Sequence, residues 1–106
     1  MRRLLVQRFE SSIAAFFCVI DFILNYLNLS DIFEVIVTGD MVSKGKPDPE
    51  IFILTANKLN LSSEDCIVIE DSINGILAAK VAGMITIAIT TTFVRTKLKF
   101  ANLVID

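Results

Sequence analysis

Apolar residues along this chain fall into short runs broken by polar turns, and the runs follow two spacings. Cys66-Ile67-Val68-Ile69 is unbroken and rich in β-branched residues, the pattern of a strand buried on both faces of a parallel sheet. It stops on Glu70 and Asp71. Two acids do not belong inside such a strand, so they are expected at its carboxyl end, where open α/β sheets gather their ligands. Ser72 is suited to cap a following helix, with Ile73, Ile76, Leu77 and Val81 predicted on one face and Gly83 as a left-handed stop.

Upstream, residues 33–38 predict a strand closed by the turn pair Gly39-Asp40. The polar stretch 43–50 follows, in which Pro47 biases Lys46 towards an extended backbone. Asp48 as cap, Pro49 in the first position and Glu50 in the first turn predict a helix running to about Asn60, with Phe52, Ala56 and Leu59 on one face. Residues 86–90 and 102–105 predict two further strands, with a loop or irregular helix between them. Alternating strands and helices imply right-handed crossovers and a parallel sheet, an α/β protein.

The first 29 residues fit this scheme least. A basic start at Arg2-Arg3 and an apolar run over 13–20 superficially suggest a signal peptide, but Glu10 interrupts and Asp21 closes the run early. A membrane span needs about 20 apolar residues, more than this run offers. The expectation is a buried helix over 13–29, with Phe22, Leu24, Tyr26, Leu27 and Leu29 packing on a sheet.

Composition narrows the chemistry. With 106 residues, 54% hydrophobic and 21% charged, the chain has the balance of one small folded domain rather than a disordered segment. The net charge of -2 comes without a basic stripe, which argues against nucleic-acid binding. There is no histidine, so His-based zinc sites and His acid/base catalysis are excluded. Cys18 and Cys66 lie in apolar segments without metal spacing and read as reduced core thiols of a cytoplasmic protein.

A lysine in a proline-fixed loop and an acid pair after a strand suit one task together. A hard divalent cation with a small phosphate dianion needs oxygen ligands for the metal and a point cation for the anion. Asp71 would be the metal ligand, Glu70 would reach the metal directly or through water, and Lys46 would neutralise phosphate charge as it develops. Taken separately, an adjacent Glu-Asp pair also fits a solvated helix entry, and a loop lysine also fits a plain surface group.

The spacing of these residues resembles a known family. Lys44-Gly45-Lys46-Pro47-Asp48-Pro49-Glu50-Ile51-Phe52, followed by the stretch from Val68-Ile69-Glu70-Asp71-Ser72 to Ala82-Gly83-Met84, is similar to the third and fourth motifs of the haloacid dehalogenase-like hydrolases. Their β-phosphoglucomutase and phosphoglycolate phosphatase-like branch is the nearest pattern. The stretch from Leu29-Ser30-Asp31 to Thr38-Gly39-Asp40 also fits it, so the resemblance covers about Asp21 to Asp106. It implies a three-layer Rossmann-like core and Mg2+-dependent phosphoryl transfer, through an aspartyl-phosphate, on a small phosphorylated metabolite. It assigns Lys46 the catalytic lysine role, Asp71 the metal-ligand role and Glu70 a supporting place at the metal.

The departures from the family pattern lie upstream. Its nucleophile is the first aspartate of an Asp-x-Asp motif at the end of the first strand, and no Asp-x-Asp occurs among these residues. Where its second motif should end a strand in Ser or Thr, Ala14-Ala15-Phe16-Phe17 stands instead. Residues 1–20 are therefore expected to be an atypical segment and 21–106 the C-terminal half of the core, without the central first strand or a cap domain. Such a core would leave apolar faces and backbone donors open, and a partner chain completing the sheet is one expectation. The alternative to a phosphatase or phosphomutase is a truncated, non-catalytic remnant that still binds magnesium or phosphate, because metal and lysine only stabilise charge on a group that something else must accept.

Overall fold

In the computed structural model, residues 3–6, 24–29, 31 and 33–106 are described. Four parallel strands form one sheet in the order β1 (Arg3–Val6), β2 (Cys66–Glu70), β3 (Ile85–Ile89), β4 (Leu103–Ile105). Among the described residues, α1 (Glu50–Lys58) precedes β2, α2 (Ile73–Val81) joins β2 to β3, and residues 24–26 are also helical.

Both helices end as their sequences predict. Asp48 Oδ1 accepts the Glu50 amide at 3.0 Å, so the aspartate side chain does the capping although the helix proper starts after Pro49. At the other end Asn60 takes a positive φ of 56°, and the Leu61 amide donates back to the Ala56 carbonyl at 3.0 Å. Gly83 does the same for α2 at φ 81°, with the Met84 amide on the Ala79 carbonyl at 3.0 Å. A left-handed residue followed by this long backward bond satisfies carbonyls that the helix end would leave bare.

The helices cover one face of the sheet. Ile51, Phe52 and Ala56 of α1 pack with Ala78 and Ala79 of α2 over Cys66 and Val68, while Ile76, Ala88 and Leu98 form a second cluster with Phe93, Phe100 and Val104. The buried side of α2 consists of Gly75, Ile76, Ala78 and Ala79; Leu77 and Val81, predicted to face the core, are exposed. Apart from Ile76, the buried side of α2 is made of small residues.

Register places Ile67 beside Ile85, Ile69 beside Ile87, Ile87 beside Leu103, and Ile89 beside Ile105, all on the other face. The five isoleucines of β2 and β3 there are only partly buried, and Leu103 and Ile105 are exposed. The apolar run of β2 is thus fully buried on one side rather than on both.

Three further expectations change. Residues 33–38 were predicted to be a strand; they run without a ladder partner among the described residues, although Val37 and Thr38 are buried. The place beside β2 that was expected to be open is taken by β1, paired in parallel from Arg3 with Cys66 to Val6 with Ile69. Leu4-Leu5-Val6 is too short an apolar run to mark a strand without the β2 edge that receives it. Of the helix predicted over 13–29, residues 13–23 lie outside the described residues. Leu24 is buried as expected, but Tyr26 is 78% and Leu27 53% exposed, so they do not pack on the sheet. No helix among the described residues is long and apolar enough to cross a membrane.

Candidate functional site

The carboxyl end of β2 gathers the three residues singled out in the sequence. Glu70 is the last residue of β2 and faces the helix-covered side, in the same alternation as Cys66 and Val68. Lys46 reaches it from the loop before α1, Nζ to Oε2 at 2.6 Å, with both side chains nearly excluded from solvent at 7% and 6% exposure. The other oxygen, Oε1, accepts the backbone amides of Asp71 at 3.0 Å and Ser72 at 3.2 Å and the Ser72 hydroxyl at 3.1 Å. Four donors on one carboxylate offset the cost of burying it.

The loop that delivers Lys46 is tied down by its own acids. Glu50 accepts the Ser43 amide at 3.0 Å on one oxygen and the Lys44 amide at 2.9 Å on the other, and the Asp48 amide donates to the Gly45 carbonyl at 3.0 Å. The Lys46–Pro47 peptide bond is cis. The lysine ammonium lies 5.6 Å from the centre of the buried Phe52 ring, an arrangement that favours a cation.

Ser72 links Glu70 to α2: its hydroxyl donates to Glu70 and accepts the Gly75 amide at 3.0 Å, closing the helix cap. Gly75 sits directly against the acid. A Cβ added there would lie 2.0 Å from Glu70 Oε2 and 2.1 Å from its carboxyl carbon. The end of a glutamate side chain can ordinarily move aside, but this one is pinned, so the position requires glycine for its size rather than for its dihedral angles.

Asp71, one residue on, faces a different setting. It is only partly buried, and its Oδ2 accepts the hydroxyls of Thr92 and of Thr91, the latter at 3.1 Å, from the loop after β3. The Thr92 hydroxyl chiefly holds its carboxyl below the usual carboxylate range, with help from the Glu70 side chain, Thr91 and its own backbone, against the opposing effect of burial. Thr91 and Thr92 were not singled out in the sequence, where they fall in the loop or irregular helix expected between two strands. Only the pairing of β2 with β3 reveals them. Cys66 is a free, buried thiol that donates to the Ser62 carbonyl at 3.3 Å, and burial pushes its pKa up, as expected of a core cysteine; Cys18 lies outside the described residues.

The two acids thus differ in what they have left to offer. Glu70 is committed to a lysine, two amides and a hydroxyl. Asp71 has one oxygen, Oδ1, on which no hydroxyl or amide of another described residue falls. No group of three or more His, Cys, Asp or Glu among the described residues is placed to enclose a metal. A partly exposed carboxylate nevertheless fits a hard cation that takes one or two protein oxygens and keeps its water.

The fold and this rim define a class of protein. The haloacid dehalogenase-like hydrolase model matches residues 15–83, and the chain belongs to that family. Within it, the chain is similar to the β-phosphoglucomutase and sugar-phosphatase branch. It is 45% identical over 67 residues to β-phosphoglucomutase of Bacillus subtilis, covering 63% of this chain and 30% of that protein. It is 49% identical over 61 residues to a phosphorylated carbohydrates phosphatase of Thermotoga maritima, covering 58% of this chain and 28% of that one. The crystal structure of β-phosphoglucomutase from Clostridium difficile superposes with a TM-score of 0.73 at 39% identity, over 80% of this chain and 37% of that chain. The chain therefore spans about a third or less of the length of these curated relatives, in keeping with an incomplete core.

Proposed function

We propose that this chain carries the phosphate- and magnesium-holding part of a phosphatase or phosphomutase site for a small phosphorylated metabolite. The observation that carries the reading is the buried contact of Lys46 with Glu70, immediately beside the more open carboxylate of Asp71. Lys46 is the charge partner for phosphoryl oxygens: fixed by Glu70 and the loop acids, its ammonium needs little reorganisation when an anion arrives. Asp71 is the ligand for Mg2+, which would supply Lewis-acid stabilisation of phosphate charge. Glu70, read in the sequence as a second metal ligand, is better suited to orienting Lys46, since its oxygens already carry four donors.

A second reading rests on one observation in the sequence. No Asp-x-Asp occurs among the 106 residues, and β1 is followed by Gln7-Arg8-Phe9-Glu10. In that reading the chain binds magnesium and phosphate without transferring the phosphoryl group. Hydrolysis of p-nitrophenyl phosphate with Mg2+, measured alongside phosphate binding, separates the two. Turnover that disappears in Lys46→Ala and Asp71→Asn supports a complete enzyme. Phosphate binding that weakens at least tenfold in Lys46→Ala, with no turnover by the folded wild type, supports the binding reading. Wild-type binding and turnover both unaffected by Lys46→Ala would overturn the site.

A further inference from the structure

The two threonines after β3 have a task that their exposed position does not suggest. Both hydroxyls converge on the same oxygen of Asp71, 20 and 21 residues away in sequence, rather than turning to solvent. Register explains how they meet. Glu70 pairs with Ala88, so the residue after β2 and the residues after β3 leave the sheet side by side.

The loop carrying them is fastened on both sides. Before them, the Thr90 amide donates to the Ile105 carbonyl at 3.1 Å and the Thr90 hydroxyl to Asp106 at 3.0 Å. After them, Arg95 donates to the Val104 carbonyl at 3.1 Å and to the Asp106 carboxylate at 3.0 Å. Phe93 and Leu98 pack into the cluster under α2. The hydroxyls are therefore presented from an anchored segment, which lets them fix a carboxylate rather than follow it.

We propose that Thr91 and Thr92 are positioning residues for Asp71, occupying one carboxylate oxygen so that the other is held ready for the divalent cation. This rests on the reading of Asp71 as a metal ligand. Neither threonine touches the cation; each acts through the aspartate. Hydrogen-bond partners of a ligating carboxylate set its orientation, and losing them typically weakens metal binding about 10- to 100-fold.

The test is Mn2+ binding to the full chain without substrate, read from the electron paramagnetic resonance signal of free Mn2+, with melting temperature followed in parallel. Replacing both threonines with valine keeps their shape and removes both hydroxyls; replacing both with serine keeps the hydroxyls. The valine pair is expected to bind Mn2+ about tenfold more weakly at an unchanged melting temperature, and the serine pair to bind as the wild type does. If the valine pair lowers the melting temperature, Thr92→Val alone is read, with a several-fold weakening expected. Valine variants that bind as tightly as wild type, while Asp71→Asn loses binding, would overturn the positioning role and leave Asp71 as a ligand. Wild type and Asp71→Asn responding identically to Mn2+ would remove Asp71 from the metal, and the role of the threonines with it.

Discussion

The two sides of the rim at the end of β2 are built on opposite principles. On the Lys46–Glu70 side, a buried charge pair is enclosed by the loop before α1, the end of β2 and the first turn of α2, with Gly75 and Phe52 in close attendance. On the Asp71 side, a partly exposed carboxylate is held chiefly by two threonine hydroxyls from an exposed loop. Burial makes the first side costly to disturb, because an ion left without its partner in a poorly solvated place has no water to turn to. Exposure makes the second cheap to disturb and open to a ligand. Neighbouring residues of like charge are therefore held differently: Glu70 is bound up with Lys46 and the start of α2, whereas Asp71 stays partly exposed.

Substitutions on the two sides should separate accordingly. Glu70→Gln removes the counter-charge from a nearly buried lysine and leaves a neutral amide facing both donors of the cap and the ammonium. It should destabilise the fold by about 3 to 4 kcal/mol in denaturant unfolding. A loss near zero would mean that the buried pair contributes nothing to holding the rim together. Gly75→Ala should cost about 2 kcal/mol, since the added methyl must displace the pinned Glu70 carboxylate, against roughly 1 kcal/mol gained from helix propensity. A stabilised variant would mean that Glu70 yields more easily than its four donors imply.

The smallest effect belongs to Asp71→Asn, and its signature is the pH dependence. The folded-state pKa of Asp71 lies below its ordinary value, so its carboxylate contributes stability above the unfolded value, near 4, that is lost as pH falls through the folded one. The wild type should therefore exceed Asp71→Asn slightly in unfolding free energy at neutral pH, by roughly a few tenths of a kcal/mol, and the gap should close on acidification below about pH 4. A gap that widens with acid would reverse the sign of the Thr91 and Thr92 contacts.

Much of the site could be read along the chain because its parts are local. Cap, first-turn acid and left-handed stop are decided within a few residues, and Asp48, Ser72, Asn60 and Gly83 act as such residue types do wherever a helix begins or ends. That acids at the end of an apolar run sit at the rim of a sheet also needs no knowledge of the rest of the molecule. Residues 33–38, which show no ladder partner among the described residues, make the opposite case: a strand exists only with a neighbour, and an apolar run cannot show whether one is present. The strand over Arg3–Val6 was missed for the same cause, being defined by the β2 edge more than by its own three apolar residues. Leu77 and Val81 were placed inside on the strength of hydrophobicity, whereas the buried side of α2 is formed by Gly75, Ile76, Ala78 and Ala79 and leaves both outside.

The sequence by itself determined the alternation of elements and the ends of both helices, because each depends on short-range sterics, and it put Lys46, Glu70 and Asp71 forward as one candidate site on side-chain chemistry alone. Only the tertiary structure decided that Glu70 would be spent on Lys46 and leave Asp71 open. The same is true of Gly75, whose need for smallness arises from Glu70, and of the two threonines that reach Asp71. Lys46 meets Glu70 across 24 residues by way of the loop before α1, and the threonines meet Asp71 across 20 and 21 residues through the register of β2 with β3; no single segment contains either meeting.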